Sequence, residues 1–131
     1  MIQLGTIVKV TDKTGVVLGQ CIKVLGNSCK NIANFGDLIL ISVKRINTSK
    51  FLNVKARLRR RFQRGTIHRG LVVRACVNFR RKTTTFLRFN ENAVVLVTKR
   101  RVPVSNRVYG PILKEFCMRW PSLGCVTRVL V

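Results

Sequence analysis

Apolar side chains in this chain fall at alternate positions, in short runs cut by turn residues. Ile2, Leu4, Thr6, Val8 and Val10 alternate with Gln3, Gly5, Ile7 and Lys9, the period of a strand with one face buried. Asp12-Lys13-Thr14-Gly15 reads as a turn, followed by a strand from Val17 to Leu25 that stops at Gly26-Asn27. After a turn at Gly36-Asp37, Leu38, Ile39, Leu40, Ile41 and Val43 form a nearly continuous apolar run, expected of a strand covered on both faces. Strand character returns from Leu71 to Val77, from Phe86 to Phe89 and from Ala93 to Val97. Asn90-Glu91-Asn92 is expected as the tight turn between the last two, because Asn tolerates positive φ. Gly110-Pro111 leads into ILKEFCMRW, expected as a short helix. Pro111 would take its first position, Ile112/Phe116 and Leu113/Cys117 would stack at i,i+4, and Pro121 would end it. Five or so strands, a basic loop and a terminal helix describe a mainly β fold, a small barrel of a class often used to bind RNA.

Charge narrows the partner. The 131 residues carry 26 Lys or Arg against 4 Asp or Glu, a formal net charge of +22. A chain of this length predicts a single domain with one modest core. A hydrophobic share of 47% excludes a disordered basic tail. What remains is a packed domain with a very positive surface, whose self-repulsion a polyanion relieves. Nucleic acid is the leading partner. An anionic membrane would call for basic residues along one amphipathic helix, a pattern the sequence lacks, and no stretch approaches the roughly 18 apolar residues of a spanning helix.

The start, MIQLGTIVKV, has neither the apolar core of a secretory signal nor the Arg and Ser richness of a transit peptide. An organellar chain would then be made in place or be seen after processing. The five cysteines are Cys21, Cys29, Cys76, Cys117 and Cys125, and the nearest pairs lie eight residues apart. Zinc sites favour closer pairs and secreted frameworks an even count, so reduced, metal-free cysteines in a reducing compartment are expected.

Fifteen of the 26 basic residues lie between Asp37 and Glu91, where no acid intervenes. Residues 55–69, KARLRRRFQRGTIHR, hold seven of them. Leu58 and Phe62 interrupt the run, the mark of an ordered arm that packs its apolar residues on protein or a base. Residues 47–66 are compatible with either a helix or an extended loop.

MIQ at residues 1–3, CIKVLG at 21–26, GD at 36–37, RFNENAVVLV at 88–97 and RVYGP at 107–111 resemble, in that order, the universal large-subunit ribosomal protein fourteen family, in its mitochondrial type. The resemblance covers about residues 1–46 and 70–116. It implies a five-stranded β-barrel over about 1–46 and 70–100, with a basic insertion at about 47–69 and a short C-terminal helical segment at about 110–131. It also implies binding to large-subunit ribosomal RNA and contact with neighbouring large-subunit proteins. A bridge to small-subunit RNA and a docking surface for a ribosome-silencing factor belong to the same expectation. Three departures stand out. Thr83-Thr84 replaces the family's Asp-Gly, so that turn is expected to differ. The stretch from Lys44 to Gly70 is longer than the family pattern. Beyond Cys117 the match fades, which leaves a second C-terminal helix unsupported.

Lys and Arg neutralise phosphates and release counterions, and Arg adds a planar fork for bidentate contacts. The candidate RNA-binding residues are Arg57, Arg59, Arg60, Arg61, Arg64 and Arg69 in the insertion and Arg80, Arg81 and Lys82 at a hairpin tip, followed by Lys44 and Arg45 at a strand end. Any single one is as compatible with a merely solvated surface. Arg107, Tyr109, Gly110 and Pro111 match the family's RIFGP-like segment and are candidates for subunit-interface contact. Gly110 and Pro111 also fit a purely structural loop. Phe116 and Trp120 read as core rather than as stacking platforms.

Catalysis is not expected. The sole histidine, His68, stands among arginines with no acid nearby, and Asp12, Asp37 and Glu91 fall in turns and Glu115 in the terminal helix. No phosphate-cradling loop, nucleophile elbow or ligand cluster is present, so neither metal nor cofactor is implied. A secreted cationic defence protein would bring a signal peptide and paired cysteines. A free-standing RNA-chaperone barrel is the alternative, abundant off the ribosome. Basicity, cysteine content and the inserted arm favour a mitochondrial ribosome over the bacterial cytoplasm.

Overall fold

A computed structural model describes residues 1–26, 31–49 and 61–131. Strands β1 (Ile7–Val10), β2 (Val16–Leu25), β3 (Leu38–Ile46), β4 (Ile67–Arg74) and β7 (Ala93–Val97) form a closed barrel in the order β1-β2-β3-β4-β7. All neighbours are antiparallel except β1 and β7, whose parallel pairing through Lys9↔Ala93 and Val10↔Val94 closes the ring. The five-stranded barrel is the expected fold.

Alternation places Val8, Val10, Val16, Cys21, Val24, Ile39, Ile41, Val43, Val72, Val94 and Leu96 in the barrel core. Leu4 departs from the pattern. It lies in a turn and is 59% exposed, while Ile2 reaches the core by bridging to Ala33. A small barrel needs strongly bent strands, and β2 bends through register shifts between Val16 and Leu18, Leu18 and Gly19, and Cys21 and Lys23. At Gly19 a Cβ would stand 2.9 Å from the Ile41 Cδ1, so only glycine lets β2 cross the β3 side chain this closely.

A second apolar cluster covers the outer faces of β4 and β7. Leu71, Val73, Val95 and Val97 pack against Ile112, Leu113, Phe116 and Leu123. Ile112 ends β8 (Val108–Ile112), Leu113 follows it, and Phe116 and Leu123 come from α1 (Glu115–Arg119) and α2 (Pro121–Gly124); β9 (Thr127–Leu130) returns parallel to β8. Burying each such side chain contributes about 1.5–3 kcal/mol before entropic costs. The strand covered on both faces is therefore β7, fully buried along AVVLV, together with the second half of β4. The apolar run of β3 is not so placed: Ile39, Ile41 and Val43 are buried, but Leu38 and Leu40 are only half-buried on its outer face. A continuous apolar run shows that both faces are apolar, not that a layer exists to cover both.

Two further expectations are corrected. Asn90-Glu91-Asn92 does not join a hairpin, because β6 (Phe86–Leu87) pairs with β5 (Phe79–Arg80) instead of β7. The Asn92 Oδ1 accepts the Cys76 amide at 3.0 Å, and the positive-φ non-glycines among the described residues are Thr84 and Arg101. Thr84, in the β5–β6 turn at φ 61°, takes the left-handed conformation that a glycine reaches without cost. Pro111 does not start a helix either. It lies in β8, the helix begins at Glu115, and Pro121 opens α2 instead of only closing α1. The Tyr109 amide donates to the Thr11 carbonyl at 2.7 Å, which holds this segment extended against the barrel. A second helical turn, α2, exists where the family match was expected to fade.

Candidate nucleic-acid interface

Hydrogen bonding at the end of β3 brings two parts of the candidate set together. The Gly65 amide donates to the Val43 carbonyl at 2.8 Å and the Val43 amide to the Thr66 carbonyl at 3.0 Å. Exposed Lys44 and Arg45 therefore adjoin exposed Arg64, where the insertion re-enters the barrel. Arg69, on β4 opposite Leu40, is half-buried. Arg57, Arg59 and Arg60, with Leu58, lie outside the described residues.

The returning end of the insertion is anchored by its apolar residue. Phe62 is 1% exposed and belongs to the barrel core. The His68 ring lies 4.5 Å from it, centroid to centroid, and the Arg61 guanidinium carbon lies 5.9 Å over its face. The Thr66 hydroxyl donates to the Gln63 carbonyl at 2.7 Å, so the His68 Nε2–H is the donor to the Arg61 carbonyl at 3.0 Å. Burial holds His68 below its ordinary pKa, although the bond to Arg61 opposes the shift. His68 thus ties the returning end of the insertion to β4.

At the β5–β6 tip, Arg80 and Lys82 are exposed, while Arg81 turns inward. Its Nε lies 3.0 Å from the Glu115 Oε1, and its Nη2 donates to the Val131 carbonyl. This tip is part of a two-stranded sheet separate from the barrel.

The RVYGP segment divides by side chain. Arg107 and Tyr109 face outward, and Ser105 fixes the Arg107 backbone, its hydroxyl donating to the Arg107 carbonyl at 3.2 Å. Gly110 and the Pro111 carbonyl serve a clasp that the sequence did not announce. Arg74, only 3% exposed, donates through Nη1 to the Tyr109 carbonyl at 3.1 Å and the Pro111 carbonyl at 3.2 Å. Its Nη2 reaches the Glu91 Oε1 at 2.7 Å, and Lys9 holds the Glu91 Oε2 at 2.9 Å. Burial raises the Glu91 pKa, but the bonds from Lys9 and Arg74 outweigh it and keep the carboxyl below its ordinary value.

All four carboxylates are engaged inside the fold. Glu91 and Glu115 pair as described. Asp37 accepts the Asn34 amide at 2.7 Å. Asp12, 6% exposed, accepts the amides of Thr14 and Leu96 at 3.0 Å each and the Thr14 hydroxyl. Burial raises its pKa, and those hydrogen bonds restrain the shift. Four acids committed internally against 26 bases leave the surface charge unneutralised. Among the described residues no cluster of three or more His, Cys, Asp or Glu is placed to hold a metal, and no helix is long and apolar enough to cross a membrane.

Fold and charge together define a class: a small closed β-barrel with a strongly basic surface whose carboxylates are spent within the fold. The family model of ribosomal protein L14p/L23e matches residues 1–130, and the chain belongs to that family. It is a structural component of the large ribosomal subunit, in a family that serves translation as scaffold rather than as enzyme. The match includes the C-terminal stretch where the resemblance read from motifs had ended.

Proposed function

We propose that this protein binds large-subunit ribosomal RNA through its unneutralised basic surface, as a single domain lying at the subunit interface. The observation that carries this reading is the internal engagement of all four carboxylates, against a net charge of +22. Such a surface attracts phosphates and releases their counterions. Lys44, Arg45, Arg61, Arg64 and Arg69 are contacts at the two ends of the insertion, Arg57, Arg59 and Arg60 are contacts by their place in the same basic run, and Arg80, Arg81 and Lys82 form a second patch. Because Arg81 is partly committed to Glu115 and Val131, Arg80 and Lys82 carry most of that patch. Arg107 and Tyr109 form the contact toward small-subunit RNA and neighbouring proteins, and toward a ribosome-silencing factor where one exists. Gly110 and Pro111 shape that segment from behind. Composition favours a mitochondrial ribosome. Fractionation on sucrose gradients tests the reading: the protein sediments with large subunits, whereas a free-standing RNA chaperone would remain largely in the soluble fractions.

A further inference from the structure

An open cleft of about 280 Å³ lies where Gly36 and Leu38, at the start of β3, meet Arg101, Arg119 and Trp120. Two arginines and one carboxylate, Asp37, line it, and Asp37 accepts the Asn34 amide at 2.7 Å. Arg101 holds its guanidinium carbon 5.9 Å over the Trp120 ring. Arg119 extends across Gly36, where a Cβ would stand 3.8 Å from its Nη1. Among the described residues neither arginine has an ion pair or a side-chain hydrogen bond.

Arg101 is held at φ 63°, a left-handed conformation that glycine adopts without strain and arginine does not. The turn that imposes it is closed from both sides. The Thr98 amide donates to the Val102 carbonyl at 2.8 Å, the Arg101 amide to the Thr98 carbonyl at 3.0 Å, and the Val102 amide to the Thr98 hydroxyl at 3.2 Å. A backbone position suited to glycine instead carries a cation over an aromatic face. Exposed Lys99 and Arg100 precede it on the same turn.

We propose that this cleft is an RNA backbone site, in which Arg101 and Arg119 grip one phosphate and Lys99 and Arg100 meet its neighbours along the strand. The proposal rests on the RNA-binding reading above and adds a contact outside the insertion. Three consecutive basic residues suit the repeated charges of a nucleic acid better than the single carboxylate of a protein side chain. An arginine laid on indole also offers a planar stack that a base extends.

Trp120 is the only tryptophan of the chain, so its fluorescence reports on the cleft directly. The full-length protein is titrated with a single-stranded RNA oligonucleotide and, separately, with poly-glutamate of equal charge. RNA is expected to change Trp120 emission, and poly-glutamate to act much more weakly. Arg101→Gly is expected to melt no lower than wild type, since it relieves the turn. It should bind RNA about tenfold more weakly and lose about one counterion from the salt slope. Arg119→Gln should weaken binding similarly, and it decides the matter if Arg101→Gly lowers stability and binding together. RNA binding with silent Trp120 emission and unchanged variants would overturn the site while leaving the RNA-binding reading intact. An equal response to poly-glutamate would overturn it in favour of a protein partner. Failure of the wild type both to bind RNA and to sediment with large subunits would remove the underlying reading as well.

Discussion

The Arg74 guanidinium fills the space that a side chain at position 110 would need: a Cβ on Gly110 would stand 2.6 Å from Nη1 and 3.1 Å from the guanidinium carbon. Gly110 also sits at φ +87°, so glycine is required there twice, by conformation and by space. This contact ties β8 to the end of β4, and through Glu91 to the start of β7.

Removing either member should loosen the C-terminal layer from the barrel. Gly110→Ala is expected to cost about 2–4 kcal/mol, combining left-handed strain with displacement of a buried cation. Arg74→Met should cost a similar amount, because three acceptors lose their donor. Hydrogen exchange should show amides in β8 and β9 opening before those in β2 and β3. Uniform loss of protection across all strands would show that the clasp does not define a separable layer.

Phe62 offers a test of the insertion's anchor. Phe62→Ala should destabilise the barrel by about 3–5 kcal/mol, as for other large-to-small core changes, measured by thermal or denaturant unfolding. A loss near zero would mean that the barrel closes without the returning arm.

Acid should act on the clasp through Glu91. Its folded pKa lies below the ordinary 4.5, so its contribution is present above that value and is lost as pH falls through the folded pKa. Asp12 has the opposite sign. Its raised pKa penalises the folded state while it is ionised, and the penalty lifts as pH falls through its folded value. Glu91→Gln should therefore flatten the acid limb of the stability curve, and an unchanged limb would assign it to another group.

Cysteine reactivity should follow exposure. Cys21 is 2% exposed with its thiol pushed up by burial, whereas Cys125 is exposed, and both are free thiols. In the native protein Cys125 should react with a thiol reagent far faster than Cys21. Metal analysis of the purified particle should find no zinc at Cys125. Bound zinc there would contradict the expectation drawn from spacing.

The barrel was legible because alternation is a local signal: Val8, Val10, Ile39, Ile41 and Val43 point inward by strand period alone. The C-terminal layer was less so. Pro111 and Gly110 carry the marks of a helix start, and only the long-range bonds from Arg74 and Thr11 keep that segment extended. Arg74 follows Leu71-Val72-Val73 and precedes Ala75, where a charged residue passes for a strand end, and its three acceptors are distant in sequence. Lys44, Arg45 and Arg64 were legible as basic residues, but their adjacency depends on the β3–β4 register. Nothing in the sequence marks Arg101, since a left-handed arginine has no sequence signature.

If the basic surface serves ribosomal RNA, with the insertion as its main contact, loss of the insertion's arginines should weaken both assembly and RNA binding. The most direct measurement compares wild type with the triple variant Arg59→Ala, Arg60→Ala, Arg61→Ala, both for entry into large subunits on gradients and for the salt dependence of RNA binding. The account predicts weakened incorporation and a salt slope reduced by about two to three counterions, with the barrel still folded by circular dichroism. Normal incorporation with an unchanged slope would contradict it.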